Sequence, residues 1–177
     1  MDGQLNHPLQ RADGLELSLD PARLDVDRVH QWLSVESYWA TGRERSVLER
    51  ALDGSVVLGV YDTALPDAPM VAFSRVVTDH ATFAWLCDVF VDESARGRGI
   101  GTWMTQVLVD LLTAEGVQRM ILGTRDAHEI YARAGFEPMQ GTWRYMEIDR
   151  RPVRDAVLAA GAPEERRRDE SAHFDGE

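Results

Sequence analysis

The chain has 177 residues, 44% of them hydrophobic, which suits one domain with a sizeable core rather than two. Its formal net charge of -11 repels phosphate backbones and makes nucleic acid a poor partner. All 19 basic residues are arginine, which excludes Schiff-base chemistry through a lysine side chain and a Walker-type phosphate loop.

The chain-order reading starts with a polar stretch, residues 1–13, expected to be flexible and with no apolar leader segment. Leu15, Leu17 and Leu19 alternate with polar residues and predict a first strand. Asp20-Pro21 then predicts a helix start, with Leu24, Val29, Trp32 and Leu33 on one face. Ser34 to Arg43 reads as a loop holding Glu36, Tyr38 and Trp39, and Arg45 to Leu52 as a second short helix stopped at Asp53-Gly54. Ser55 to Tyr61, Met70 to Val77 and Thr82 to Val91 read as three strands in consecutive hairpins, an antiparallel meander.

From Ile100 the spacing changes. Ile100, Met104, Val107, Leu108 and Leu111 recur at helical intervals, and the helix ends near Glu115-Gly116. A short strand over Arg119 to Leu122, a short helix over Ala127 to Ala134 closed by Gly135, and a strand over Trp143 to Ile148 complete the pattern. The fold class is α+β or mixed α/β, a central mixed sheet with helices on both faces. Strand–helix–strand from Thr82 to Leu122 predicts a parallel crossover. The domain reading is 1–13 flexible, 14–160 a single domain, and 161–177 a disordered charged tail. No apolar run is long enough to span a bilayer, so a cytoplasmic protein without membrane partners is expected. The single cysteine, Cys87, can make neither an internal disulfide nor a multi-cysteine zinc site, and no metal is expected.

The most informative stretch is Arg96-Gly97-Arg98-Gly99-Ile100-Gly101-Thr102, between a strand and an amphipathic helix. Glycines let the backbone approach a ligand, and a helix start offers unpartnered N–H groups and the positive end of a dipole. Together they suit a pyrophosphate, with Arg96 and Arg98 able to add charge-assisted contacts. A dinucleotide fingerprint would need glycine at position 102, where Thr102 stands. A plain strand–helix turn with packing glycines stays open from the residues alone.

This loop resembles the Arg/Gln-x-x-Gly-x-Gly/Ala signature of the GNAT superfamily of N-acetyltransferases, through Arg96, Gly99 and Gly101. Ala127-His128-Glu129-Ile130-Tyr131-Ala132-Arg133-Ala134-Gly135-Phe136 is similar to the same family's Ala-x-x-Leu-Tyr-x-x-x-Gly-Phe segment. The likeness covers Met70 to Phe136; Glu93 stands where proline is frequent and Thr124 where asparagine is frequent.

The resemblance implies acetyl-CoA as acetyl donor, lying in a splay between the strand ending at Val91 and the strand 119–122. Backbone groups of Val89, Phe90 and Val91 would meet the pantetheine arm, and residues Arg96 to Thr102 the pyrophosphate. It implies direct attack by the amine and Tyr131 as general acid. Asp88, a carboxylate inside an apolar strand, is the candidate base, and a structural ion pair is its alternative. Glu36 and His128 are lesser candidates, and a water relay stays open. Glu36, Tyr38 and Trp39 are the candidate acceptor-binding residues. The expected acceptor is a small-molecule amine, cationic and held near Asp88. A peptide acceptor, or a non-catalytic acyl-CoA sensor, is the alternative. A homodimer is an assembly open to such a chain.

Overall fold

The computed structural model describes residues 7–140 and 146–150. Residues up to 140 form one unit and those from 141 another, and each stands by itself below. In the first unit the elements are β1 (Leu9–Gln10), β2 (Leu15–Ser18), α1 (Val26–Gln31), α2 (Arg45–Asp53), β3 (Val56–Asp62), β4 (Met70–Thr78), β5 (Ala84–Val91), α3 (Ile100–Ala114), β6 (Met120–Leu122) and α4 (His128–Arg133).

The six strands form one sheet in chain order, with every pairing antiparallel except β5 to β6. The expected meander and the parallel crossover through α3 are both present. Two cores follow from the two faces of this sheet. On one, Leu15, Leu17, Val60, Ala72, Val76, Ala84 and Leu86 pack under Ile100, Met104, Leu108 and Leu112 of α3. On the other, Val57, Tyr61, Phe73 and Phe90 pack under Val29, Trp32, Leu33 and Leu48 from the N-terminal helices. Inward residues alternate along each strand because successive side chains point to opposite faces.

Three local expectations are corrected. Residues 9–13 are not loose: Leu9–Gln10 pair with β2, and Arg11 donates to Asp13 and to the Arg98 carbonyl. Asp20 does cap a turn, accepting from the Ala22 N–H at 2.9 Å, but that turn is 3-10 and ends at Arg23. Leu24 leaves the helical region at ψ 129°, and Asp25 caps α1 afresh by accepting from the Arg28 N–H. Finally, Ser34 to Glu36, expected to open a loop, belong to a π-turn over Trp32–Glu36 that continues α1. Trp32 and Leu33 are both in the core, as expected, at 2% and 0% exposed.

The expected strand over Trp143 to Ile148 lies partly outside the described residues, and 146–148 within them have no regular structure. The tail 161–177 lies outside them altogether. Among the described residues no helix is long and apolar enough to cross a membrane.

Candidate active site

β6 pairs with β5 only at Ala84, Trp85 and Leu86, so among the described residues Cys87 to Val91 have no strand beside them on that edge. Chain order explains the gap: β6 is three residues long and the chain turns away at Gly123. A bulge interrupts β5 on its other side. Arg75 is the partner of Cys87 and Phe73 of Phe90, so Asp88 and Val89 together face Ser74. Asp88 takes a left-handed φ of 53°, a conformation that costs a residue with a β-carbon. The extra residue resets the alternation of side chains. Leu86 and Val89 pack toward α3, while Asp88 meets Arg43 and Arg75 and Phe90 meets Trp32.

The glycine loop follows directly. Asp92 ends β5 by capping a 3-10 turn over Glu93–Ala95, and it also takes Arg28 Nη2 at 2.9 Å and Trp32 Nε1 at 3.2 Å. Burial pushes its carboxyl up, but Ser94 and Arg28 outweigh that and hold it at about 2. Gly97 and Gly99 have φ of 80° and 69°, and a β-carbon on either would meet no atom within 4 Å. Gly99 starts α3 with no side-chain cap, so the N–H groups of its first turn stay available to an anion. Gly101 differs: its β-carbon would lie 3.7 Å from Ile130 and 3.8 Å from Val91, so α3, α4 and the end of β5 meet there. Ile100 is buried and Thr102 half-buried.

The two arginines of the loop part company. Arg96 Nε donates to the Val91 carbonyl at 3.1 Å, and its guanidinium lies 5.9 Å from the Phe90 ring centroid. Arg98 is turned away to Asp62 and Asp13, at 2.5 and 3.6 Å. It is an anchor of the loop to β3, and the expectation of a phosphate contact from its side chain is corrected accordingly.

On α4 the Tyr131 ring packs edge-on against Phe136 at 6.2 Å, and its hydroxyl has no hydrogen bond among the described residues. Burial, with smaller contributions from Tyr38 and Asp126, pushes the phenol up to about 12. The α1–α2 connection comes to the same region. Tyr38 Oη donates to Asp126 Oδ1 at 3.4 Å, and Arg125 lies 3.8 Å over the Tyr38 ring. Trp39 stands edge-on to Tyr38 at 4.9 Å and tilted on Phe90 at 6.4 Å. Tyr38 and Trp39 thus join Tyr131, whereas Glu36 is exposed at the end of the π-turn and His128 is exposed on α4. Thr124 Oγ1 accepts from the Ala127 N–H at 3.0 Å and supports the turn into α4.

Asp88 needs the main correction. Its side chain is 2% exposed, and its oxygens accept from Arg43 Nη1 (2.6 Å), Arg43 Nη2 (3.1 Å) and Arg75 Nε (2.7 Å). Burial would raise its carboxyl, but the two guanidiniums outweigh it and hold it below the usual carboxylate range. A carboxylate so engaged is a poor proton acceptor, and a free Asp88 beside an ammonium group is not what the chain builds. Arg43, Arg125 and Asp126 were not singled out by sequence reasoning. Each lies in a loop, and no periodicity or spacing marks a loop residue's neighbours.

A concavity of about 1510 Å³ is at the opposite end of the sheet, between Asp20, Leu52, Thr78 and Leu112. It shares no residue with this region. No group of three or more metal-ligating side chains occurs among the described residues.

A family model described as the acetyltransferase (GNAT) family matches residues 26–136. A GNAT-family crystal structure from Xanthomonas campestris is 36% identical, covering 75% of this chain and 93% of that one with a TM-score of 0.65. A Gibberella zeae protein whose name is that of an acetyltransferase is 29% identical over 133 residues, 66% of this chain and 75% of its own. The fold is shared with Rv2747 of Mycobacterium tuberculosis, solved with CoA and NLQ, at 20% identity, TM-score 0.57, and 81% and 79% coverage. With the open edge of β5, the uncapped start of α3 and the tyrosine of α4, these likenesses establish that the chain belongs to the GNAT family of acyl-CoA-dependent N-acetyltransferases.

Proposed function

We propose that the chain moves an acetyl group from acetyl-CoA directly onto a small-molecule primary amine, with Tyr131 as general acid. The observation that carries this is the unengaged, half-buried Tyr131 phenol on α4, next to Ile130 where α4 meets Gly101 and the open end of β5. Backbone N–H groups of the open edge, at Val89 to Val91, are suited to polarising the thioester carbonyl. The free α3 N-terminus and Arg96 are suited to the pyrophosphate. Acetyl-CoA supplies the activated acyl group and a thiolate leaving group.

The chemistry then needs two proton transfers. The amine nitrogen forms the C–N bond with its lone pair, the C–S bond breaks, and sulfur takes the Tyr131 proton. The nitrogen's surplus proton leaves to water held at Asp126, which lies beside both tyrosines. A covalent detour through Cys87 is disfavoured, because burial pushes that thiol up to about 11 and leaves it neutral. Tyr38, Asp126 and Arg125 meet on the acceptor side, and their mutual contacts support a small molecule over a peptide chain.

The test is acetyl-CoA turnover across primary amines and peptides, read by mass spectrometry. Small amines should be acetylated with intersecting initial-rate plots. Parallel plots would mean an acyl-enzyme, and turnover of peptides alone would sink the small-molecule reading. The cofactor loop has its own test. Gly99→Val should weaken acetyl-CoA binding about tenfold or more, since left-handed backbone costs a β-carbon residue about 1–2 kcal/mol and the branch would project into the space at the helix start. Unchanged calorimetric affinity in a folded variant would remove this loop from the cofactor site.

A further inference from the structure

We infer that Arg43 and Arg75, held side by side by Asp88 on the β5 face under the α1–α2 connection, recognise an anionic oxyacid group, a carboxylate or phosphate, on the acceptor amine. The inference rests on the small-amine reading above and names the class of amine.

The first argument is charge. Two guanidiniums share one carboxylate, which leaves one positive charge without an acidic partner among the described residues. Cys87, the strand partner of Arg75, does not supply it, because its thiol stays neutral. The arginine side chains are only 19% and 14% exposed, so bulk water compensates them poorly. A little-exposed cationic spot of this kind stands out in a chain of formal net charge -11. It cannot be a by-product of a generally basic surface.

The second argument is unused donors. Arg43 spends both terminal nitrogens on Asp88, and Arg75 spends Nε on Asp88 and Nη1 on Ser55. Arg43 Nε and Arg75 Nη2 make no side-chain hydrogen bond among the described residues. Trp39, on the same connection as Arg43, has its indole N–H buried without a partner. A buried donor is normally satisfied, so the Trp39 N–H, together with the two spare guanidinium N–H groups over neighbouring β5 positions, marks a place for an acceptor oxygen. Phe90 beneath Trp39 and Asp88 beneath Arg43 are two residues apart, at the open edge where the acetyl group would lie. Asp88 is then a positioning residue: its left-handed backbone puts a carboxylate where it orients both forks.

The experiment uses the full chain and matched acceptor pairs, an amino acid against its amide and an aminoalkyl phosphate against the amino alcohol. The anionic member should have a kcat/KM ~10–100-fold higher, the worth of one or two hydrogen bonds to charge. The larger ratio of the two pairs identifies carboxylate or phosphate as the group. In Arg43→Gln and Arg75→Gln the ratio should fall toward one through KM, and Arg43→Lys, which keeps charge and loses the fork, should fall between. Should those variants not fold, inorganic phosphate and acetate on the wild type should inhibit competitively with the amine. Turnover of amines with no preference in either pair, or a preference that survives both substitutions, overturns the inference and leaves the small-amine reading standing. No turnover of any small amine overturns that reading itself.

Discussion

Tyr131→Phe is expected to bind acetyl-CoA as the parent does and to lose ~10²–10⁴-fold in kcat, the range that a positioned general acid contributes. The substitution removes one oxygen and leaves the ring against Phe136, so packing of α4 onto α3 is preserved. The lost group makes no hydrogen bond among the described residues, so no partner is left unsatisfied and stability should scarcely change. Loss of rate therefore isolates proton donation. The pH profile sharpens the test. With the phenol near 12, the wild type should show no alkaline loss of kcat through pH 10, whereas a tyrosine of ordinary pKa would begin to ionise there. Full kcat in the variant at saturating substrates would show that sulfur takes its proton from elsewhere.

Asp88→Asn is expected to unfold more easily by about 3 kcal/mol, the lower end of the cost of breaking one side of a buried ion pair. At roughly 2–4 °C per kcal/mol for a domain of this size, the melting temperature should drop by roughly 6–12 °C. The amide keeps the shape and can still accept from one arginine, but it leaves two largely buried guanidiniums without a counter-charge. The pH dependence has a definite sign. The folded pKa of Asp88 lies below the unfolded value of about 3.9, so its stabilisation is present above that value and fades as pH falls through the folded pKa. The parent should thus lose stability more steeply than the variant on acidification below about pH 4. Equal melting temperatures at neutral pH would mean that Arg43 and Arg75 find compensation without Asp88.

The parts of this protein that the sequence alone made legible are those written in local pattern. Apolar, β-branched-rich runs bounded by turn signals marked β3, β4 and β5 to within two residues at each end, because strands covered on both faces read as short apolar runs. The helical recurrence from Ile100 to Leu111 located α3, and the glycines before it announced an open, uncapped helix start. Tyr131 was found through its neighbours in a motif, and its half-buried, unengaged hydroxyl is consistent with that role.

What only the tertiary structure decided is who sits beside whom. Asp88 read as either a base or a structural ion pair, and the choice fell to its partners, Arg43 and Arg75, which are 45 and 13 residues away. Arg98 read as a phosphate ligand because nothing local announces Asp62, 36 residues back. Asp126 and Tyr38 meet across 88 residues of chain. Periodicity reports which side of an element is buried, since that follows from backbone geometry within one turn or one pleat. Pairing of charges between loops follows from how the elements pack, and a linear pattern carries no record of it.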